Sequence, residues 1–349
     1  ICLVLAKLVL TEEPKKRAVW TGFFVLLMLY ALTVHARTTT YIIAAVLVVL
    51  LYGVLYRKKL ISLPVFAIFT AGGYILMKKG IKMYQSVVWS AAEGVRNTRV
   101  NIGEEKLSLL KTADGIKSCL FTIFGQINIA SMISGGLLIT ALVMVILLIV
   151  RKGKEAFVLK TIQADNKEEQ LYFVMGSFFV LCTGMTIAAQ SLTWIATATN
   201  AIMDGYGTKE YGTKAFTYLR YMMPYLQPLL MLVFVTMEKQ KDLFLSCFRK
   251  SIKYIVLIQG IWLAFILPYC YGNKQAGEEF ICFALADRNI ATAHTYLPAT
   301  LVFVIMLLIF FWAGKKGKFQ IIMLVLLVTA GYKYCYNAYN WVILTQKEN

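Results

Sequence analysis

Apolar runs close to the length of a bilayer span recur along this chain, and short basic turns separate them. Residues 18–34, 38–56, 60–77, 171–190 and 297–314 are such runs. A helix needs about 20 apolar residues to cross the hydrocarbon core. Inside a bilayer no water satisfies the backbone, so a spanning segment must be a helix or part of a closed barrel. Runs this long leave the helix. Hydrophobic residues make up 59% of the 349, which in a water-soluble fold would expose too much apolar surface. The expected fold class is therefore all-α: a polytopic integral membrane helical bundle of about ten transmembrane segments, the first one partial. No Pro- or Ser-rich linker divides it, so residues 1–349 read as a single polytopic transmembrane domain.

The formal net charge of +18 raises the question of nucleic acid. The cations answer it, because they cluster in short loops between apolar runs, as the positive-inside rule expects. Nucleic acid is not an expected partner; membrane lipids are. The rule places residues 11–17, 57–59, 151–170, 238–253 and 315–318 in the cytoplasm. It leaves about 78–120, 191–218 and 272–296 as external loops. Residues 121–150, 219–237 and 254–271 are read as single spans, the last following a cytoplasmic amphipathic stretch. The loop after residue 77 carries Lys78, Lys79, Lys82, Arg96, Arg99, Lys106, Lys111 and Lys117 and so strains the orientation. Reversing it would put the other basic clusters outside. Residues 81–92 mix apolar, aromatic and basic side chains, as either an interfacial helix or a mobile loop would. The expected location is an integral, multi-pass position in a plasma membrane, bacterial by composition.

The chain opens on Ile1 inside an apolar run with no initiator Met, so we expect further sequence upstream. Of the seven cysteines none forms a C-x-x-C pair. Cys2 and Cys182 read as small apolar residues, and Cys270 and Cys282 are either a disulfide or two free thiols. There are only two histidines, no G-x-x-x-x-G-K-[ST] loop and no G-x-S-x-G elbow.

The most informative stretch runs from Asp204 to Thr236, D-G-Y-G-T-K-E-Y-G-T-K-A-F-T-Y-L-R-Y-M-M-P-Y-L-Q-P followed by a Leu-rich run. Arg220 falls where that helix would enter the bilayer, a depth at which a cation needs a partner, a cavity or a headgroup. Pro224 and Pro228 are expected to break the backbone ladder just past it. The near-repeat Y-G-T-K supplies glycines for unusual backbone angles and aromatic faces for stacking. The pattern R-Y-x-x-P-x-x-x-P resembles a recurrent segment of GT-C class polytopic membrane glycosyltransferases, which use lipid-linked sugars. The turn His35-Ala36-Arg37 between two apolar helices also resembles that class. The resemblance covers residues 18–60 and 120–240.

It implies sugar transfer from a polyprenyl-phosphate donor to an extracytoplasmic acceptor. The expected substrate-binding residues are then Arg220, Tyr221, His35, Arg37 and Asp204. Arginine grips a phosphate with two parallel bonds; histidine and tyrosine add hydrogen bonds. Read without the family, Arg220 either grips a phosphate or snorkels to headgroups, and Arg37 meets headgroups in a capped turn from which Thr38 to Thr40 start the next helix. The family's catalytic acid lies early in the chain, so here it is expected upstream of residue 1. Among the loop acids present, Glu93, Glu104, Glu105, Asp114, Glu210, Glu278, Glu279 and Asp287 are each most simply solvated. No cofactor is implied with certainty, and a divalent metal stays open. The rival readings are a transporter or flippase for a lipid-linked or anionic substrate, and a non-catalytic membrane subunit.

Overall fold

The computed structural model describes residues 1–34, 39–88, 104–159, 166–207, 211–219, 221–270, 293–318, 320–325 and 327–328. Among these there are helices and turns and no strand. Among the described residues four helices are long and apolar enough to cross a membrane: Thr39–Tyr56, Ala113–Ile133, Lys167–Thr193 and Lys241–Cys270. The described residues fall into two compact units, one of residues 1–101 and 145–185, the other of 102–144 and 186–349.

In unit 1 the helices are α1 (Cys2–Leu10), α2 (Pro14–Val34), α3 (Thr39–Tyr56) and α4 (Leu63–Val88). It also holds the end of α7 (Leu137–Lys154) and the start of α8 (Lys167–Thr193). Pro14 sits at the start of α2, where its missing N–H costs nothing. Apolar residues surround α3, yet packing divides it into two sides. Ala44, Ala45, Val48 and Tyr52 are buried, whereas Ile43, Leu47, Leu50 and Val54 lie exposed at spacings of three and four. An exposed aliphatic stripe of that kind suits lipid rather than water. α4 packs along α2, with Gly22 against the Phe69 ring and Gly73 against Leu29. It continues as one helix to Val88, so the polar segment expected from residue 78 starts as helix. Residues 81–88 are the last turns of α4, and 89–92 lie outside the described residues.

Unit 2 contains α5 (Glu104–Leu109), α6 (Ala113–Ile133), the start of α7, the end of α8 and α9 (Ile195–Met203). A 3₁₀ turn (Tyr211–Phe216) leads to α10 (Met223–Lys239) and α11 (Lys241–Ile261). A π-helical turn (Trp262–Ile266) joins α11 to α12 (Leu267–Cys270), and α13 is Ala293–Lys316. Two expectations change here, the single span 121–150 and the loop 191–218.

Residues 121–150 are not one span. α6 begins eight residues earlier than expected, capped by the Thr112 hydroxyl, which accepts from the Gly115 N–H at 3.1 Å. It ends at Ile133, and Gly135 and Gly136 just after it take φ of 59° and 80°. Only glycine enters that region freely, and a Cβ at Gly135 would strike the Phe310 ring.

The stretch 238–253 is joined to the apolar segment after it without a helix break. Gln240 alone divides α10 from α11, and the helix then runs unbroken to Cys270. Phe244, Phe248, Ser251, Ile255, Gln259, Trp262 and Ile266 are buried, a spacing of three and four along its whole length. Arg249, Lys250 and Lys253 lie on the exposed side, which makes this part of the helix amphipathic, as expected.

Residues 191–218 are not a solvated loop. α9 and the 3₁₀ turn pack on α6, with Thr199, Thr213, Ala215, Phe216 and Thr217 buried. The prolines are corrected as well. Pro224 opens α10 in its first turn, and α10 continues through Pro228, which removes a single ladder bond. Cys270 is a free buried thiol, and Cys282 lies outside the described residues.

Candidate functional site

Chemistry-bearing side chains in unit 2 gather where α6, α9, the 3₁₀ turn and α12 meet. Gly205 and the near-repeat Y-G-T-K after it use their glycines in two ways. Gly205 and Gly207 take φ of 90° and 70° and reverse the chain after α9. Gly212 has no such angle; instead a Cβ there would collide with the Thr197 carbonyl of α9. The Gly207 N–H donates to the Pro268 carbonyl at 2.9 Å, which ties this turn to α12.

That tie brings Tyr206 to Tyr269, edge to face at 4.8 Å between centroids. Tyr206 is 74% exposed while Tyr269 is buried, so one ring faces outward from a fixed base. Lys117 of α6 donates to the Tyr269 hydroxyl at 2.7 Å and lies 5.5 Å from the Phe121 ring centroid. Phe121 in turn meets Phe216 edge-on at 5.9 Å. A second aromatic row runs Trp194, Tyr218, Tyr221, with centroids 6.1 and 5.2 Å apart. Lys214 lies 5.7 Å from the Tyr218 ring. Aromatic rings paired with ammonium groups offer flat apolar faces next to positive charge.

Beneath these rows a polar seam runs along α6. Ser118, Thr122 and Gln126 are spaced by four and are fully buried. The Ser118 and Thr199 hydroxyls are 3.1 Å apart. The Gln126 amide donates to Gln190 Oε1 at 2.6 Å and to the Ala215 carbonyl at 2.9 Å. Gln126 Oε1, Gln190 Nε2 and Ser131 Oγ are shut from solvent with no hydrogen-bond partner among the described residues. Buried groups of this sort cost about 1–3 kcal/mol each when unpaired. A fold keeps few of them without a reason.

The expected substrate-binding residues divide as follows. Tyr221 is half-buried in the second aromatic row. Asp204 ends α9 and is exposed, two residues from Tyr206, at the helix end where the dipole disfavours a carboxylate. Arg220, His35 and Arg37 lie outside the described residues, as do Glu93, Glu210, Glu278, Glu279 and Asp287. Asp114 sits exposed in the first turn of α6, where a carboxylate suits the dipole and needs no further role. No group of three His, Cys, Asp or Glu among the described residues is placed to hold a metal ion.

Reading the sequence missed Lys117, Trp194, Tyr269 and the Gln126–Gln190 pair. Only the seam had a legible signal, in polar residues four apart inside an apolar run. Comparison with family models, with curated proteins and with solved structures yields no match.

Proposed function

We propose that this chain is a membrane glycosyltransferase-like protein that moves a sugar from a polyprenyl-phosphate donor to an extracytoplasmic acceptor. One observation carries the reading: exposed Tyr206 stands on Tyr269, Lys117 holds the Tyr269 hydroxyl at 2.7 Å, and Asp204 is two residues away. An exposed ring supplies a face for the C–H side of a sugar. Lysine attracts phosphate, and a carboxylate accepts from sugar hydroxyls.

In this reading Arg220 and Arg37 grip the carrier phosphate and stabilise it as it leaves. His35 and Tyr221 add hydrogen bonds.

The test uses the full-length protein in lipid nanodiscs with a polyprenyl-phosphate sugar, following sugar release and donor affinity. Arg220→Ala is expected to weaken donor binding by about 1.5–3 kcal/mol, the scale of a charged hydrogen bond. Arg220→Lys should not restore it, because lysine lacks the two-pronged geometry. Tyr206→Ala should lower sugar transfer while the protein stays folded. Equal donor affinity in the wild type and both Arg220 variants would remove the carrier site.

A flippase is the second reading. It is favoured by the π-helical turn Trp262–Ile266 inside a spanning helix, near the unpaired Gln259 Oε1. Irregular turns within spans accompany substrate paths in transporters. Movement of the lipid-linked sugar across the bilayer without sugar release would select it.

A further inference from the structure

Gln126 and Gln190 stand apart from the rest of the seam in unit 2, because their pairing is half made. Gln126 is 0% exposed and Gln190 5%, and both sit on helices long and apolar enough to cross a membrane. Gln126 Nε2 donates to Gln190 Oε1 at 2.6 Å and to the Ala215 carbonyl at 2.9 Å, so both of its protons are used. Two glutamines side by side can also exchange the reverse bond. Here Gln126 Oε1 and Gln190 Nε2 have no hydrogen-bond partner among the described residues. One amide thus keeps a bare acceptor, and the other keeps two bare donor protons.

Turning the amides over does not cure this. The Ala215 carbonyl can only accept, so Gln126 must present its nitrogen there and its oxygen elsewhere. That nitrogen then requires an oxygen on Gln190, which fixes the second amide as well. The backbone holds Ala215 in place. It belongs to the 3₁₀ turn Tyr211–Phe216 and is fully buried. Gly125, next to Gln126 on α6, lets that turn approach, since a Cβ there would strike the Phe216 carbonyl. The stranded acceptor and donor are therefore set by a close backbone approach and not by a choice of rotamer.

We propose that the Gln126–Gln190 pair is a binding site for one neutral guest that both donates and accepts, and that the guest is a water molecule held inside the bundle. The donor set decides the class. A cation asks for several oxygens and an anion for several donors. One acceptor beside one donor suits a molecule that gives one hydrogen bond and takes another. Buried water satisfies about two to four polar partners in this way. Inside a bilayer no bulk solvent reaches a stranded amide, so the water has to be carried within the protein. Ser118, Thr122 and Gln126 follow one another at intervals of four, so the seam leads from this site back towards the start of α6, about 12 Å along the helix. The water closes the inner end of that seam. The site does not depend on the sugar-transfer reading.

The experiment places the whole protein in phosphatidylcholine nanodiscs with nitrogen-15 in its glutamine side-chain amides. Solid-state NMR then follows magnetisation passing from water to each amide. Gln126 Nε2 is the internal control, because protein oxygens hold both of its protons. The two signals are assigned by their loss in Gln190→Glu and Gln126→Glu, or in the Leu variants where a Glu variant fails to fold. Transfer that builds up at least threefold faster at Gln190 than at Gln126 supports the site. Transfer to neither amide overturns it, because the two glutamines then close on each other in a dry seam. A ratio below threefold, with both amides as fast as the exposed Gln240 or slower, overturns it as well, because no discrete water then sits on Gln190.

Discussion

Unit 1 and unit 2 place their polar groups differently. In unit 1 the charged groups concentrate at helix ends, in a cleft lined by Arg17, Lys58, Lys59 and Lys167 and in the Arg151, Lys152, Glu155 and Glu169 cluster. Thr21, Ser177 and Thr183 are isolated hydroxyls buried within its helices. Between those ends α3 buries mainly apolar surface. In unit 2 polar side chains run through the packed interior, as Ser118, Thr122, Gln126, Gln190 and Thr199 do. Polar groups at helix ends are solvated or paired at modest cost. Polar groups inside a bundle must find each other, and those that do not remain as a standing penalty. The comparison teaches where to look: unit 1 offers a charged surface cleft, and unit 2 a polar path under an aromatic rim.

The sharpest break of this comparison is at Glu169. Lys152 is 3% exposed and pairs with both Glu155 and Glu169. Glu169→Leu should cost about 3 kcal/mol, because it leaves a buried cation short of a partner. Chemical denaturation in detergent measures it. A loss under about 1 kcal/mol would mean the cluster is solvated like a surface pair.

Next in size is the seam of unit 2. Gln126→Leu alone should cost about 2 kcal/mol, since it strands the Gln190 amide. Gln126→Leu with Gln190→Leu should recover most of that, because removing both partners avoids the orphan. If the double variant is stable and sugar transfer is lost, the seam serves function. Recovery of both stability and transfer would make it a packing feature.

Thr199→Ala removes two hydroxyl contacts, to Ser118 at 3.1 Å and to the Ile195 carbonyl of its own helix at 2.6 Å, and should cost about 1 kcal/mol. A loss of about 3 kcal/mol would show that the seam acts as one cooperative network.

The smallest energetic effect concerns sidedness. In a cysteine-free background, Asp204→Cys and Lys59→Cys should each change stability by less than about 0.5 kcal/mol, as exposed positions do. Asp204→Cys should react with an impermeant maleimide in intact cells, and Lys59→Cys only after permeabilisation. Equal labelling of both before permeabilisation would overturn the topology read from the basic turns.

Local signals made much of unit 1 legible. The starts and ends of α1, α2 and α3 fall within a few residues of expectation, because Pro14, the basic turns and the apolar run lengths are short-range features. In unit 2 the same signals carry less far. The amphipathic character of 238–253 is legible in its charges, whereas the buried stripe that continues from Phe244 to Ile266 is not. Gly135-Gly136 was passed over, although paired glycines inside an apolar run are a break signal. Of the candidate site, Asp204, Tyr206 and Tyr221 were within reach of sequence, since they share one Gly-rich stretch.

What the sequence determined by itself is the helical, membrane-type character of the chain. That follows from run length and from the need to satisfy every backbone group inside a bilayer. What only the tertiary structure decided is which polar residues meet. Lys117 reaches Tyr269 across 152 positions, Gln126 reaches Gln190 across 64, and the cleft gathers Arg17, Lys59 and Lys167 from three separate segments. Such meetings depend on how helices pack side by side. Packing is set by shape and burial over the whole unit, and no local periodicity encodes it.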